Sequence, residues 1–333
     1  MATGISRYLS GETRTPEEIR EAVYLFTGDV GAKQSRFWLL LVISTVIATA
    51  GIIGDSTATV IGAMIVAPLA IPIQGVAVAI SGGEPRPLGL STATVIGAAL
   101  VVIVLAAVLA LVLPELKPLS DNSQVTGRVA PTLVDLAAAA ATGLAGAFAV
   151  ARRDIADILP GVAIAISLVP PLSVVGVTAV AGDWSGALGA LILFLTNVLA
   201  MIVVGVALFS GLGVLRARRV DATFHRRPVY AIIGAAGVIV VGALAASTYR
   251  TVQLEDWRSG ATRVASAWAR GNGERLVETQ FQGDELVLVV AGSRTTAVDR
   301  ELPSLLRGAI PAGTPVVVNR IPGTRHDVGD VPG

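Results

Sequence analysis

Long apolar runs separated by short polar joints dominate the first 250 residues, and a finer alternation of apolar and polar positions becomes readable only beyond them. A bilayer core needs about 20 apolar residues in helical form. Seven runs meet that length, near 37–54, 57–80, 88–113, 130–150, 157–181, 185–211 and 229–248. A polar leader of 36 residues precedes the first run, which therefore reads as an anchor and not as a cleaved signal peptide. Within the leader, Thr15-Pro16-Glu17-Glu18 predicts a helix start: Thr15 caps, Pro16 fits the first turn and Glu18 closes a capping box. The helix so begun is expected to lie on the surface beside the membrane.

Two runs carry prolines where a spanning helix would have its middle: Pro68 and Pro72 in the second, Pro170 and Pro171 in the fifth. Proline has no amide hydrogen and collides with the carbonyl four residues back, so Pro68 disturbs the turn at Met64 and Pro72 extends the disturbance. A backbone carbonyl freed in hydrocarbon costs several kcal/mol unless something pairs with it. Such a break suits a place where protein, water or a solute approaches. Packing kinks are the competing explanation.

The two runs align when the chain is shifted by 99 positions, with Asp55 on Asp154, Gly62 on Gly161, Ile65 on Ile164, Leu69 on Leu168, Pro72 on Pro171, Val76 on Val175, Val78 on Val177 and Gly83 on Gly182. Each unit then reads span, broken span, span. An odd number of crossings inserts the second copy upside down, an arrangement met in secondary transporters. The predicted fold is a polytopic α-helical membrane protein of about seven spans with a 3+3 inverted repeat. Repeat A covers about 37–113, repeat B about 130–211, and a seventh span about 229–248.

Beyond residue 249 the composition turns soluble. Trp257, Ala261, Val264 and Trp268 share a helical face that Gly271 terminates. Two strands surround a turn at Gly283-Asp284, and a helix from about Thr296 to Leu306 and the strand TPVVVNRI follow, giving a small α/β domain in the order α-β-β-α-β. Its ten Arg balance ten Asp and Glu. At about 84 residues it is long enough to fold alone, and its sheet edges suggest a homo-oligomer, a dimer through this domain.

Composition fixes the class. Apolar residues make up 53% of the chain and charged residues 15%, with a mean hydropathy of +0.73, values that belong to an integral membrane protein. The net charge of +1 gives no footprint for nucleic acid. Arg7, Arg14, Arg20, Lys33 and Arg36 precede the first run, and Arg216, Arg218, Arg219, Arg226 and Arg227 crowd the joint before the seventh. Both regions belong in the cytoplasm by the positive-inside rule. The leader 1–36 is then cytoplasmic, 37–249 the transmembrane domain, and 250–333 extracytoplasmic. If both broken runs dip in and return, the tail stays outside but Arg152 and Arg153 move out. The Arg, Ala and Gly bias suggests a bacterial source, hence the bacterial cell membrane.

The stretches IGAM (Ile61–Met64), Ala67-Pro68, Pro72-Ile73, VPPL (Val169–Leu172), GDW (Gly182–Trp184) and LTN (Leu195–Asn197) resemble a family of bacterial and archaeal membrane proteins. It is catalogued as domain of unknown function 389, the uncharacterised hydrophobic domain family. The resemblance covers about 37–211. It implies the membrane fold and carries over no reaction or substrate.

Candidate substrate- or ion-binding residues follow from burial of polar groups in the runs. Asp55 and Asp135 are acids at or near span ends, able to draw cations or protons into an outer vestibule, though Asp55 also fits a helix cap and Asp135 an interfacial position. Gln74, Ser167, Ser173, Thr196 and Asn197 lie near the breaks or mid-span, where they could coordinate a solute or bond neighbouring helices. Ala139, Gly143 and Ala147 mark a packing face.

Enzymes are disfavoured. Cysteine is absent, both histidines (His225 and His326) fall outside the runs, and there is no HExxH, P-loop, GxGxxG or tight aspartyl-dyad motif. No cofactor or metal is expected. The leading function is passive or ion-coupled movement of a small solute or cation; the alternative is a non-transporting scaffold or sensor whose outer domain binds a ligand or the envelope.

Overall fold

The leader helix is the first element set by local sequence. In this computed structural model, which describes residues 13–113, 118–154, 168–212, 226–282, 285–292 and 301–321, α1 spans Pro16–Val23 with Thr15 as cap. Glu18 Oε2 accepts from the Thr15 amide at 2.8 Å, and Thr15 Oγ1 accepts from the Glu18 amide at 3.3 Å. The helix keeps Glu17 and Glu21 exposed on one face and has its other face covered. Ile19, Val23 and Tyr24 form one apolar stripe and are buried against later helices.

Contacts divide the chain into two compact units, Met1–Ser247 and Thr248–Gly333. In the first, α2 (Val30–Ile53), α5 (Pro85–Val112), α7 (Leu133–Ala151) and α9 (Trp184–Leu212) are each long and apolar enough to cross a bilayer. The start of α2 precedes the predicted 37, because the polar side chains of its first turns are put to use: Lys33 Nζ donates to the Glu21 carbonyl at 2.5 Å and Gln34 Nε2 to the Leu25 carbonyl at 3.3 Å. On α5, Ile96, Leu100, Val104, Val108 and Leu111 face outward. So wide an apolar exterior suits lipid, not water.

Between α2 and α5 the chain forms α3 (Thr57–Val66) and α4 (Ala70–Gly82), bent by 48° at their joint. Pro68 ends α3 by forcing Ala67 into extended backbone, φ −65° and ψ 124°. Pro72 instead sits in the first turn of α4, where amides have no intrahelical acceptor and a missing donor costs nothing. Val60 at the start of α3 packs beside Ile52. Val76 to Ile80, toward the end of α4, pack on α1. The bent pair thus traverses the unit from one end to the other.

A short helix α6 (Ser123–Val129) precedes α7, and α8 (Val169–Val180) precedes α9. The first half of the fifth apolar run, 157–167, lies outside the described residues. Pro170 and Pro171 occupy the first turn of α8, as Pro72 does in α4. The sequence-predicted seventh run falls within α10, Arg226–Gly271.

In the second unit, β1 (Arg275–Gln282) pairs antiparallel with β2 (Glu285–Ala291), and β2 parallel with β3 (Val316–Ile321). The order is β1-β2-β3. Leu286, Leu288 and Val290 point to one face and pack on Ala261, Ala265 and Trp268 of α10 and on Leu302 of the single-turn α11 (Leu302–Leu305). The turn residues Gly283 and Asp284 and the first five residues of the helix predicted from Thr296 lie outside the described residues.

Candidate functional site at the helix breaks

The breaks sit in the interior of the first unit. Leu69 and Ile73 at the start of α4, and Leu168, Val169 and Leu172 at the start of α8, share one buried cluster with Phe194 and Met201 of α9. From there the half-helices run to opposite ends. The end of α4 packs on α1, whereas Val174, Val175 and Val177 of α8 pack with Ile52, Val60 and Val125 at the α6 end. The two ends are distinct along α9, where Ala187 belongs to the α6 end and Phe209 to the α1 end, about 33 Å apart at the rise of an α-helix.

Two pairs of helix starts agree with the 99-residue shift. Helix α4 begins at Ala70 and α8 at Val169, and α5 begins at Pro85 and α9 at Trp184. Gly83 and Gly182, which precede the latter pair, are both left-handed, with φ of 70° and 79°. Such a φ favours glycine.

Two residues after the aligned prolines Pro72 and Pro171 stand Gln74 and Ser173. Both are buried, at 2% and 0% exposure. Gln74 Nε2 donates to the Gly143 carbonyl of α7 at 3.2 Å, but its Oε1 has no hydrogen-bond partner among the described residues, and neither has Ser173 Oγ. A buried acceptor left unmade costs about 1–3 kcal/mol. On α9, Thr196 is buried with its hydroxyl donating to the Ile192 carbonyl at 2.7 Å, and Asn197 is buried one residue on. Pro68, Pro72, Pro170 and Pro171 are buried as well. Ser167 lies outside the described residues.

The two acids stand apart from this interior. Asp55, left-handed at φ 50°, accepts from the Ser123 amide at 3.0 Å and hydroxyl at 2.6 Å, at the α6 end. Asp135 Oδ2 accepts from the Thr132 amide at 2.8 Å and hydroxyl at 2.7 Å, closing the start of α7. Among the described residues no three His, Asp or Glu side chains gather as a metal site requires.

A charged cluster at the α1 end escaped the sequence reading. Arg20, 8% exposed, places Nε 2.7 Å from Glu84 Oε1, while the Tyr24 hydroxyl donates to Glu84 Oε2 at 2.9 Å. Burial, reinforced by the Glu84 carboxylate, pushes the Tyr24 phenol well above its ordinary value. Nearby, Arg153 contacts Glu18 at 2.7 Å. The Arg153 hydrogen bond, then the Thr15 amide, hold the Glu18 carboxyl down to about 2. A cavity of about 610 Å³ opens here, bordered by Arg20, Tyr24, Thr27, Glu84 and Arg86. The available signal was Glu84, an acid alone between two apolar runs, opposite an Arg and a Tyr four residues apart on α1.

The part of the chain that holds both helix breaks also matches known sequences. Residues 64–203 match the family described as domain of unknown function (DUF389). The resemblance carried by the proline motifs is thereby shown over these residues. The chain is also 33% identical over 205 residues to the uncharacterized protein MJ0678 of Methanocaldococcus jannaschii, covering 61% of this chain and 62% of that relative. The chain thus spans less than two thirds of the relative's length. No solved structure matches it.

Proposed function

We propose that the protein is a secondary transporter or channel for a small polar solute or cation. One observation carries the reading: α4 and α8 start in the interior, run to opposite ends, and each presents a buried oxygen without a hydrogen-bond partner among the described residues, Gln74 Oε1 and Ser173 Oγ. Such oxygens are costly in a purely structural role and useful for replacing a solute's hydration. The element starts at 70 and 169, and at 85 and 184, support a 3+3 inverted repeat, with α10 as a seventh span. The Arg-rich leader supports a cytoplasmic α1 end, which puts Asp55 and Asp135 at the outer end, in the cell membrane of a bacterium. No catalytic role is proposed for any residue, and no cofactor. Homo-oligomerisation through the second unit is part of the reading.

The rival is a scaffold or sensor, favoured by the apolar packing of Leu69, Ile73, Leu168, Val169 and Leu172 about the breaks. Proteoliposomes separate the two. Flux of monovalent cations or small neutral solutes is expected from the full chain and is expected to vanish in Gln74→Leu and Ser173→Ala. Absence of flux across that panel, with the protein folded, favours the scaffold.

A further inference from the structure

The helices α1 and α6 occupy equivalent places. Helix α1 rests on α4 of its own half through Ile19 and Val23, and α6 lies against α8 and, more broadly, α9 of its own half, with Val125 in the shared cluster. Each is then fastened to the end of the first long helix of the other half. The Arg14 amide, just before α1, donates to the Ala151 carbonyl at the end of α7 at 2.8 Å. Asn122 Nδ2, at the cap of α6, donates to the Ile52 carbonyl at the end of α2 at 2.7 Å. The two acceptors, at 52 and 151, are 99 residues apart, the same shift that aligns the breaks. Further contacts reinforce each fastening: Arg153 with Glu18, and the Thr13–Arg152 bridge, at the α1 end; Asp55 with Ser123, and Gln124 Nε2 to Thr57 Oγ1 at 2.8 Å, at the α6 end.

From this reciprocity we infer that α1 and α6 are the two closures of the pathway, and that they open alternately. The inference rests on the transport reading. Each closure bridges both halves, so a rotation of one half against the other must release one fastening, and the fastenings lie at opposite ends of α9. Two mirror-placed closures under one pseudo-symmetry give two states of comparable energy, which is what a bistable element needs. The chain encodes the closures unequally. The α1 end is held by the Arg153–Glu18 ion pair, the α6 end by hydroxyl and amide groups and the Asp55 carboxylate, so reversing the charge at Arg153 acts directly on the first alone.

The absence of cysteine makes the test direct. Val78 and Val177, aligned by the same shift and buried beneath α1 and α6, are replaced singly by cysteine in the full chain and labelled with a water-soluble maleimide. Adding Arg153→Glu, which sets two negative charges together, is expected to raise labelling at Val78→Cys about fivefold, the response to a shift near 1 kcal/mol. Labelling at Val177→Cys is expected to fall in the same background. Asn122→Leu is expected to reverse both changes, and Glu18→Gln is the milder partner should Arg153→Glu prevent folding. If each variant moves only its nearer reporter, the closures are independent caps and the inference is overturned. Opposed labelling without flux would leave the closures standing and remove the transport reading; flux without opposed labelling would do the reverse.

Discussion

Gln74 donates through Nε2 to the Gly143 carbonyl while its Oε1 lies where a Cβ on Gly205 would come within 2.9 Å, so one side chain of α4 meets both α7 and α9. Interhelical hydrogen bonds in membrane proteins are worth about 0.6 kcal/mol on average. Burying an acceptor without a partner costs about 1–3 kcal/mol. Gln74→Leu is therefore expected to leave thermal stability in detergent unchanged or raised, while flux falls to background. A clear drop in the unfolding temperature alongside the loss of flux would assign Gln74 to packing instead.

Close backbone approach gives a second expectation. A Cβ on Gly176 of α8 would lie 2.5 Å from the Ile103 carbonyl oxygen and 2.8 Å from the Ala107 nitrogen of α5, backbone atoms that cannot turn aside. Gly176→Ala is expected to destabilise by about 1–3 kcal/mol, the range of overpacked sites. At Gly62 nothing lies within 4 Å of such a Cβ. Gly62→Ala is expected to stabilise by up to about 1 kcal/mol through helix propensity alone. Thermal unfolding of the pair should therefore show opposite signs.

How much of this was readable depended on what each residue contacts. The apolar runs gave α5, α7 and α9 to within a few residues, since long apolar helices are specified by composition along their own length. The prolines marked the joint between α3 and α4 at Ala67, because their restriction is also local. Pro72 read as part of the break, whereas it starts the following helix; that difference depends on where the first turn falls. What pattern could not supply was partnership. Ile19, Val23 and Tyr24 are consistent with a surface helix until α4 and α7 are brought to them, and Glu84 gains meaning only beside Arg20, 64 residues away. Asp55 looked like a helix cap or a cation lure, yet it holds Ser123 from 68 residues away.

The Glu84 cluster should respond in a graded way. The Arg20 and Glu84 side chains are 10% and 21% exposed, those of Arg153 and Glu18 53% and 42%. Breaking a buried pair costs about 3–5 kcal/mol, and Glu84→Gln is expected near the lower end because Glu84 keeps some water contact. Tyr24→Phe removes one hydrogen bond to a charged group, about 1.5–3 kcal/mol. Arg153→Gln, at the surface, is expected to cost no more than about 1 kcal/mol. Denaturation midpoints should follow that order, and an Arg153→Gln loss exceeding that of Glu84→Gln would mean that the exposed pair holds α1.

Acid provides the last test, through Glu18. Its carboxyl is held at about 2 against an ordinary 4.5, by the Arg153 hydrogen bond and then by the Thr15 amide. With the bound value depressed, the contribution of Glu18 to holding α1 is complete above about pH 4.5 and drains away as the pH falls toward 2. Hydrogen exchange of the α1 amides, corrected for intrinsic rates, should therefore show protection that is flat from pH 8 to 5 and declines below 4.5. In Glu18→Gln that decline should disappear. Because the pair is exposed, 1 M salt at neutral pH, where screening acts over about 3 Å, should loosen α1 in the parent chain and leave Glu18→Gln unaffected. A fall in protection already between pH 8 and 5 would place the controlling charge on another group and separate α1 from its contact with Arg153.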